Sequence, residues 1–117
     1  MISESHRSIK PGDVVVVPFP FAERDTAKRR PALALSSAEF VASTGTVVLA
    51  MITTGAHEPW PHDVPVKDLR SAGLRTPCVV RWKLATRDVR MVLAKTGSLA
   101  PADRKAARMA LRRAVNV

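Results

Sequence analysis

The sequence predicts a mainly β protein of the α+β class, a small SH3-like open barrel of five to six strands with a C-terminal helix. Three observations predict it. Apolar runs of strand length recur between turn signals, no long helical pattern separates them as βαβ units would require, and one amphipathic helical pattern closes the chain. The 117 residues fit one domain, and a chain of this size buries roughly two thirds of its unfolded surface. Residues 1–10 are polar and aperiodic and read as a flexible N-terminal tail, and residues 11–117 read as a single domain.

Pro11-Gly12-Asp13 is a turn that launches the first strand, Val14 to Val17, an unbroken β-branched run of the kind covered on both faces. Pro18 and Pro20 withhold two ladder donors and end the strand in this reading. Residues 21–28 form a polar loop. Pro31 to Leu35 and Thr46 to Ile52 are strand-length apolar runs, and Ser36 and Glu39 between them have capping-box spacing for a short helix. Glu58-Pro59-Trp60-Pro61 is a stiff loop, His62 to Val66 a short strand, and Asp68 to Gly73 a helical turn with glycine at its exit. Cys78 to Leu84 and Met91 to Lys95 supply two further strands. The final helix opens with Pro101 and carries Ala102, Ala106, Met109 and Ala110 on a face expected to pack on the sheet. Arg104, Arg108 and Arg112 line another face, as a solubilising stripe or a long-range attractor for a polyanion. A small barrel leaves an edge or an apolar face uncovered, so a homodimer is expected.

Lys plus Arg outnumber Asp plus Glu by 19 to 10, a net charge of +9. That balance favours a polyanionic partner: a nucleic acid, an acidic protein or an anionic surface. No apolar run approaches the ~20 residues that cross a bilayer, and residues 1–13 lack the apolar centre of a secretory signal, so no membrane association and a cytoplasmic location are expected. The lone Cys78 and three scattered histidines offer no metal-ligand spacing. Neither a metal nor another cofactor is expected, and Cys78 reads as a small buried apolar residue. Lys28-Arg29-Arg30-Pro31 sets three cations before a strand, with Pro31 forcing Arg30 toward an extended backbone. The cluster is a phosphate clamp or a solvated basic loop.

The run from Gly12 through Val14-Val15-Val16-Val17-Pro18-Phe19-Pro20-Phe21, then Arg29-Arg30-Pro31-Ala32-Leu33-Ala34-Leu35-Ser36, resembles the opening of the PemK/MazF family of type II toxin-antitoxin toxins. Ile52-Thr53-Thr54-Gly55 is similar to the family's strand-end threonine motif, Val79-Val80-Arg81 to its third segment, and Gly97-Ser98-Leu99-Ala100-Pro101 to its entry into the C-terminal helix. The resemblance covers residue 11 to about 115. It implies a CcdB- or PemK-like barrel, usually homodimeric, that cleaves single-stranded RNA at short sequences without a metal and is silenced by an antitoxin, here expected to be acidic.

In the reaction the resemblance implies, a ribose 2′-hydroxyl attacks the adjacent phosphodiester. The protein then supplies no nucleophile, only a cation for the developing phosphorane charge and groups that move protons. Arg30 matches the family's catalytic arginine, Thr53 its active-site threonine, and Arg81 a third position that completes a cationic site. Thr54 is a weaker candidate because strand neighbours face opposite sides. Several members carry an acid two positions after that third arginine, where this chain has Lys83, so a different group must move the proton. Glu23, Asp25 and His57 are the candidates, the last with an intrinsic pKa of about 6.5. Lys28, Arg29, Thr54, His57 and Trp60 are candidate RNA contacts, with Trp60 either a stacking face for an unpaired base or an aromatic lid over the barrel end. Trp82 belongs to the core or the dimer interface. A gyrase-poisoning toxin of the CcdB kind, and a basic RNA-binding module that does not cut, are the competing readings.

Overall fold

The computed structural model describes residues 8–19, 28–54 and 58–116. Six strands, β1 (Asp13–Phe19), β2 (Lys28–Ala34), β3 (Thr46–Thr53), β4 (Val64–Pro65), β5 (Val79–Asp88) and β6 (Ala94–Ser98), form one sheet in the order β4-β5-β3-β2-β1-β6. Every neighbouring pair is antiparallel, and the sheet curls into a half-barrel. Helix α1 (Ala38–Thr44) joins β2 to β3, and α2 (Pro101–Ala114) ends the chain. Among the described residues no helix is long and apolar enough to cross a membrane.

The four valines behave as an unbroken run should, because β1 is covered on both sides. Val15 and Val17 join one buried cluster with Val47 and Leu49, and Val14 joins the other with Leu33, Ile52 and Val80. Ile9 is 1% exposed in the first cluster, so packing reaches back ahead of Pro11, where the sequence reading opened the domain. Pro18 lies inside β1 and does not end it. The reason is direction. Val16 accepts from Leu93 N on the outer side of β1 (2.8 Å), and Pro18, two residues on, points the same way beyond the last residue paired with β6. Its missing donor therefore faces no strand.

Other boundaries also moved. The basic triplet sits within β2, not in a loop before it. Ser37, not Ser36, caps α1 by accepting from Phe40 N at 3.1 Å, while Ser36 Oγ accepts from Val48 N at 2.6 Å and ties the turn to β3. The strand expected at His62 to Val66 is only Val64–Pro65, and β5 runs to Asp88, well past Leu84. A 3-10 turn, Val89–Met91, occupies the start of the last predicted strand and delays β6 to Ala94. In α2 the inward positions are Asp103 and Ala107, with Ala110 packed against the second core cluster as expected, while Ala102, Ala106 and Met109 are exposed. The apolar periodicity was misplaced because the buried carboxylate of Asp103 is the anchor. It accepts from Lys67 N and Asp68 N at 2.8–3.1 Å and clips the helix to the loop after β4.

Asp13 does similar work at the opposite edge. Its side chain is 1% exposed and accepts from Lys10 N (2.9 Å) and Ser98 Oγ (2.8 Å), with Lys95 Nζ at 3.2 Å. Burial pushes its carboxyl upward, but these donors outweigh it and hold the pKa below the usual aspartate value. A carboxylate whose folded pKa is depressed stabilises the fold above its unfolded pKa, near 4, and loses that contribution as pH falls through the folded value. Asp13→Asn should therefore cost roughly 1–3 kcal/mol at pH 7. Urea midpoints measured from pH 7 down to pH 2 should show the gap to the parent narrowing below about pH 4.

Candidate functional site

Arg30 and Thr53 meet at the open ends of β2 and β3. The β2–β3 ladder pairs Ala32 with Met51 and Leu33 with Ala50, and counting two residues on sets Arg30 opposite Thr53. The ladder stops at Ala32, where Pro31 has no N–H to offer β3. Pro31 so leaves the strand ends unzipped, and a cavity of about 170 Å³ opens there, lined by Arg30, Pro31, Ile52, Thr53 and Thr54. The turn before β5 supplies the other wall with Leu74, Arg75, Thr76 and Cys78. By alternation Pro31 and Ile52 belong to the opposite face from Arg30 and Thr53, so the cavity lies across the strand ends and not on one face.

Two arginines and three threonines line this space, and among the described residues no carboxylate does. Arg30 is half-buried, and its Nε is buried without a hydrogen-bond partner among the described residues. A buried donor left unpaired costs on the order of 1–3 kcal/mol, more when it is charged. An anion that bonded to it would remove that cost. Cys78 is buried as expected. Its thiol donates to Thr76 O at 3.1 Å, and burial pushes its pKa up, which keeps it a thiol and a poor nucleophile.

Arg81 is placed differently. It lies on the face that carries Arg30 and Thr53, opposite Met51, but its guanidinium is committed to a carboxylate. Nε donates to Asp63 Oδ1 at 3.1 Å and Nη2 to Asp63 Oδ2 at 2.8 Å, with side chains 7% and 13% exposed. These bonds from Arg81 hold the Asp63 carboxyl below the usual range. The Trp60 ring sits over the same guanidinium, its centroid 5.2 Å from Cζ. Lys28, Arg29 and Thr54 are exposed. Trp82 packs against the second core cluster and donates Nε1–H to His62 O at 2.7 Å. Glu23, Asp25 and His57 fall outside the described residues.

Asp63, Arg75 and Thr76 escaped the sequence reading. Asp63 follows a proline–histidine pair and fell inside the short strand expected from His62 to Val66, where an acid resembles an ordinary solvent-facing residue, and Arg75 looks like one more surface cation. Three larger clefts run along α2, two of about 250 and 510 Å³ beside Leu35 and Leu111 and one of about 430 Å³ lined by Lys105, Arg108 and Met109. They are roomier than the strand-end cavity but contain neither Arg30 nor Thr53, so the smaller space is the candidate site.

A curled antiparallel sheet closed by a helix, with an arginine Nε that is buried and without a partner among the described residues at the open strand ends, defines a small α+β module. Residues 10–115 match the model of PemK-like, MazF-like toxins of type II toxin-antitoxin systems, and the chain belongs to that family. No curated protein matches the sequence. Among solved structures, the chain superposes on a MazE–MazF complex from Deinococcus radiodurans with a TM-score of 0.74 at 19% identity, covering 93% of this chain and 97% of that one. The Mycobacterium tuberculosis toxin MazF-mt6 gives 0.69 at 25% identity over 90% and 97%. An endoribonuclease bound to its cognate antitoxin, from a mycobacterial species, gives 0.71 at 19% identity over 94% and 95%.

The unpaired Nε makes Arg30 a source of instability. Arg30→Met, which fills similar space without a donor, should leave the urea midpoint unchanged or raise it, and a clear drop would mean that the guanidinium is bonded in the folded protein. The Arg81–Asp63 pair predicts the reverse. Arg81→Met should cost about 1–3 kcal/mol by stranding a carboxylate that is only 13% exposed. Adding Asp63→Leu to that variant should recover part of the loss in the same denaturation assay.

Proposed function

We propose that this toxin is a metal-independent endoribonuclease that cleaves single-stranded RNA at short sequences through attack of a 2′-hydroxyl on the adjacent phosphodiester. The observation that carries the reading is the Arg30 guanidinium, with a buried and unbonded Nε, at a cavity it shares with Thr53. In the reaction the 2′-oxygen bonds to phosphorus while the bond to the 5′-oxygen breaks. The 2′-hydroxyl proton passes to a base, the departing 5′-oxygen takes up a proton, and the products are a 2′,3′-cyclic phosphate and a 5′-hydroxyl. Negative charge builds on the two non-bridging oxygens between these events, where the fixed fork of Arg30 matches their spacing. The Thr53 hydroxyl, donor and acceptor at once, orients the attacking 2′-hydroxyl or holds the phosphate.

Glu23, Asp25 and His57 remain our candidates for the proton-transfer group, since Lys83 stands where several relatives carry an acid. The net charge of +9 favours an RNA substrate and an acidic antitoxin alike. The antitoxin reading is supported by family membership and by the solved toxins that carry a cognate antitoxin. We take the working form to be a homodimer in the cytoplasm.

Purified protein should cut single-stranded RNA in the presence of EDTA, and the same RNA with 2′-deoxyribose at the cut should survive. Arg30→Ala should lose on the order of 10²–10³ in rate. Cleavage of the deoxy substrate would overturn the mechanism, and intact RNA together with gyrase trapped on DNA would favour the CcdB-like alternative.

A further inference from the structure

We propose that Trp60 is the base-reading platform of this toxin, stacking one unpaired base next to the scissile phosphate, and that Arg81 and Asp63 are positioning residues that hold it there. The proposal rests on the endoribonuclease reading for the identity of the strand. It also reassigns Arg81, which the family resemblance implied to be a phosphate contact.

The Arg81 charge is answered at two points by Asp63, at 2.8 and 3.1 Å, so the pair has little net charge to offer a phosphate. Nη2 also reaches Glu58 O at 3.4 Å. The guanidinium instead lies over the Trp60 ring, Cζ 5.2 Å from its centroid. One side of the indole is therefore occupied while the residue as a whole is 44% exposed. A large aromatic ring in that state has one face left for a single stacking partner.

The segment is held as a rigid mount. Asp63 Oδ2 accepts from Trp60 N at 3.0 Å, and Asp63 N donates to Trp60 O at 3.3 Å, closing a turn on both sides. Pro59 and Pro61 fix the backbone on either side of the tryptophan. His62 lies at φ +66°, an unfavourable conformation for its residue type, and its carbonyl is clamped by Trp82 Nε1–H at 2.7 Å. Asp63 thus bonds the backbone of Trp60 and the cation beneath its ring. The order lost on binding has already been given up, which is how a platform gains affinity.

The platform is also in the right place. Arg81 opposes Met51, and Thr53 lies two residues further along β3 on the same face, about 7 Å away. A strand with its phosphate at Arg30 and Thr53 brings a neighbouring base over the indole. Stacking needs no hydrogen-bond code and favours the larger ring systems, so the position should prefer a purine.

Two measurements test this. The first uses a short RNA made uncleavable by 2′-deoxyribose at the mapped cut, or a general single-stranded RNA if no cut is found, with 2-aminopurine placed at successive positions. Quenching on binding should mark one position, persist in Arg30→Ala, and vanish in Trp60→Leu. Trp60→Phe should retain part of it. The second measures cleavage of substrates that differ only at that position. Trp60→Leu should raise KM roughly ten- to a hundredfold for the purine substrate with little change in kcat, removing the preference. Asp63→Asn should lose most of the preference and shift Trp60 emission in a Trp82→Phe background, although residue 63 need not touch RNA. Quenching without cleavage would sink the nuclease reading and leave the platform standing. Cleavage with an unaltered sequence preference in Trp60→Leu would overturn the platform, as would failure of the parent protein to bind single-stranded RNA.

Discussion

The site depends on the register of three antiparallel strands and on one missing N–H. Pairing Val17 with Arg30 and Ala32 with Met51 carries the arginine and Thr53 to the same end of the sheet, although 23 positions separate them in sequence. A slip of one residue would turn Arg30 to the other face. Pro31 then prevents the ladder from closing over them, because it can offer no donor to β3. Without that gap the strand ends would zip together and the cavity between them would close.

Two arginines on the same face are used in opposite ways. Among the described residues Arg30 meets no counter-charge in its cavity and its buried Nε has no hydrogen-bond partner, an arrangement that costs stability and fits the phosphate-binding role we propose for it. Arg81 is satisfied within the fold by Asp63 and serves as the bed for an aromatic ring. The difference lies in the partner that the neighbouring loop brings. Similar economy appears in the two buried aspartates, since Asp13 joins the N-terminal turn to β6 and Asp103 fastens α2 to the loop after β4. Acids are scarce in this chain, and three of its ten are spent on internal joints.

Strand content was readable because unbroken valine runs and alternating apolar positions report burial directly. The final helix was readable from Pro101, but its inward face was not, because a carboxylate anchors it and periodicity arguments count only apolar groups. Pro18 misled for a related reason, since whether a proline breaks a strand depends on which way its nitrogen points. Of the candidate site, Arg30 and Thr53 were marked by the residues around them, and the structure has them line one cavity. Asp63 was invisible because its importance is a contact with a residue 18 positions away.

The sequence alone determined the class of fold, the excess of positive charge and the types of residue available for chemistry. These follow from local propensity, patterning and composition, which belong to each short stretch of chain. Only the tertiary structure decided which guanidinium stays unpaired, which is neutralised, and where the ladder stops. Those outcomes depend on distances between segments remote in sequence, and no residue carries that information until the strands have paired.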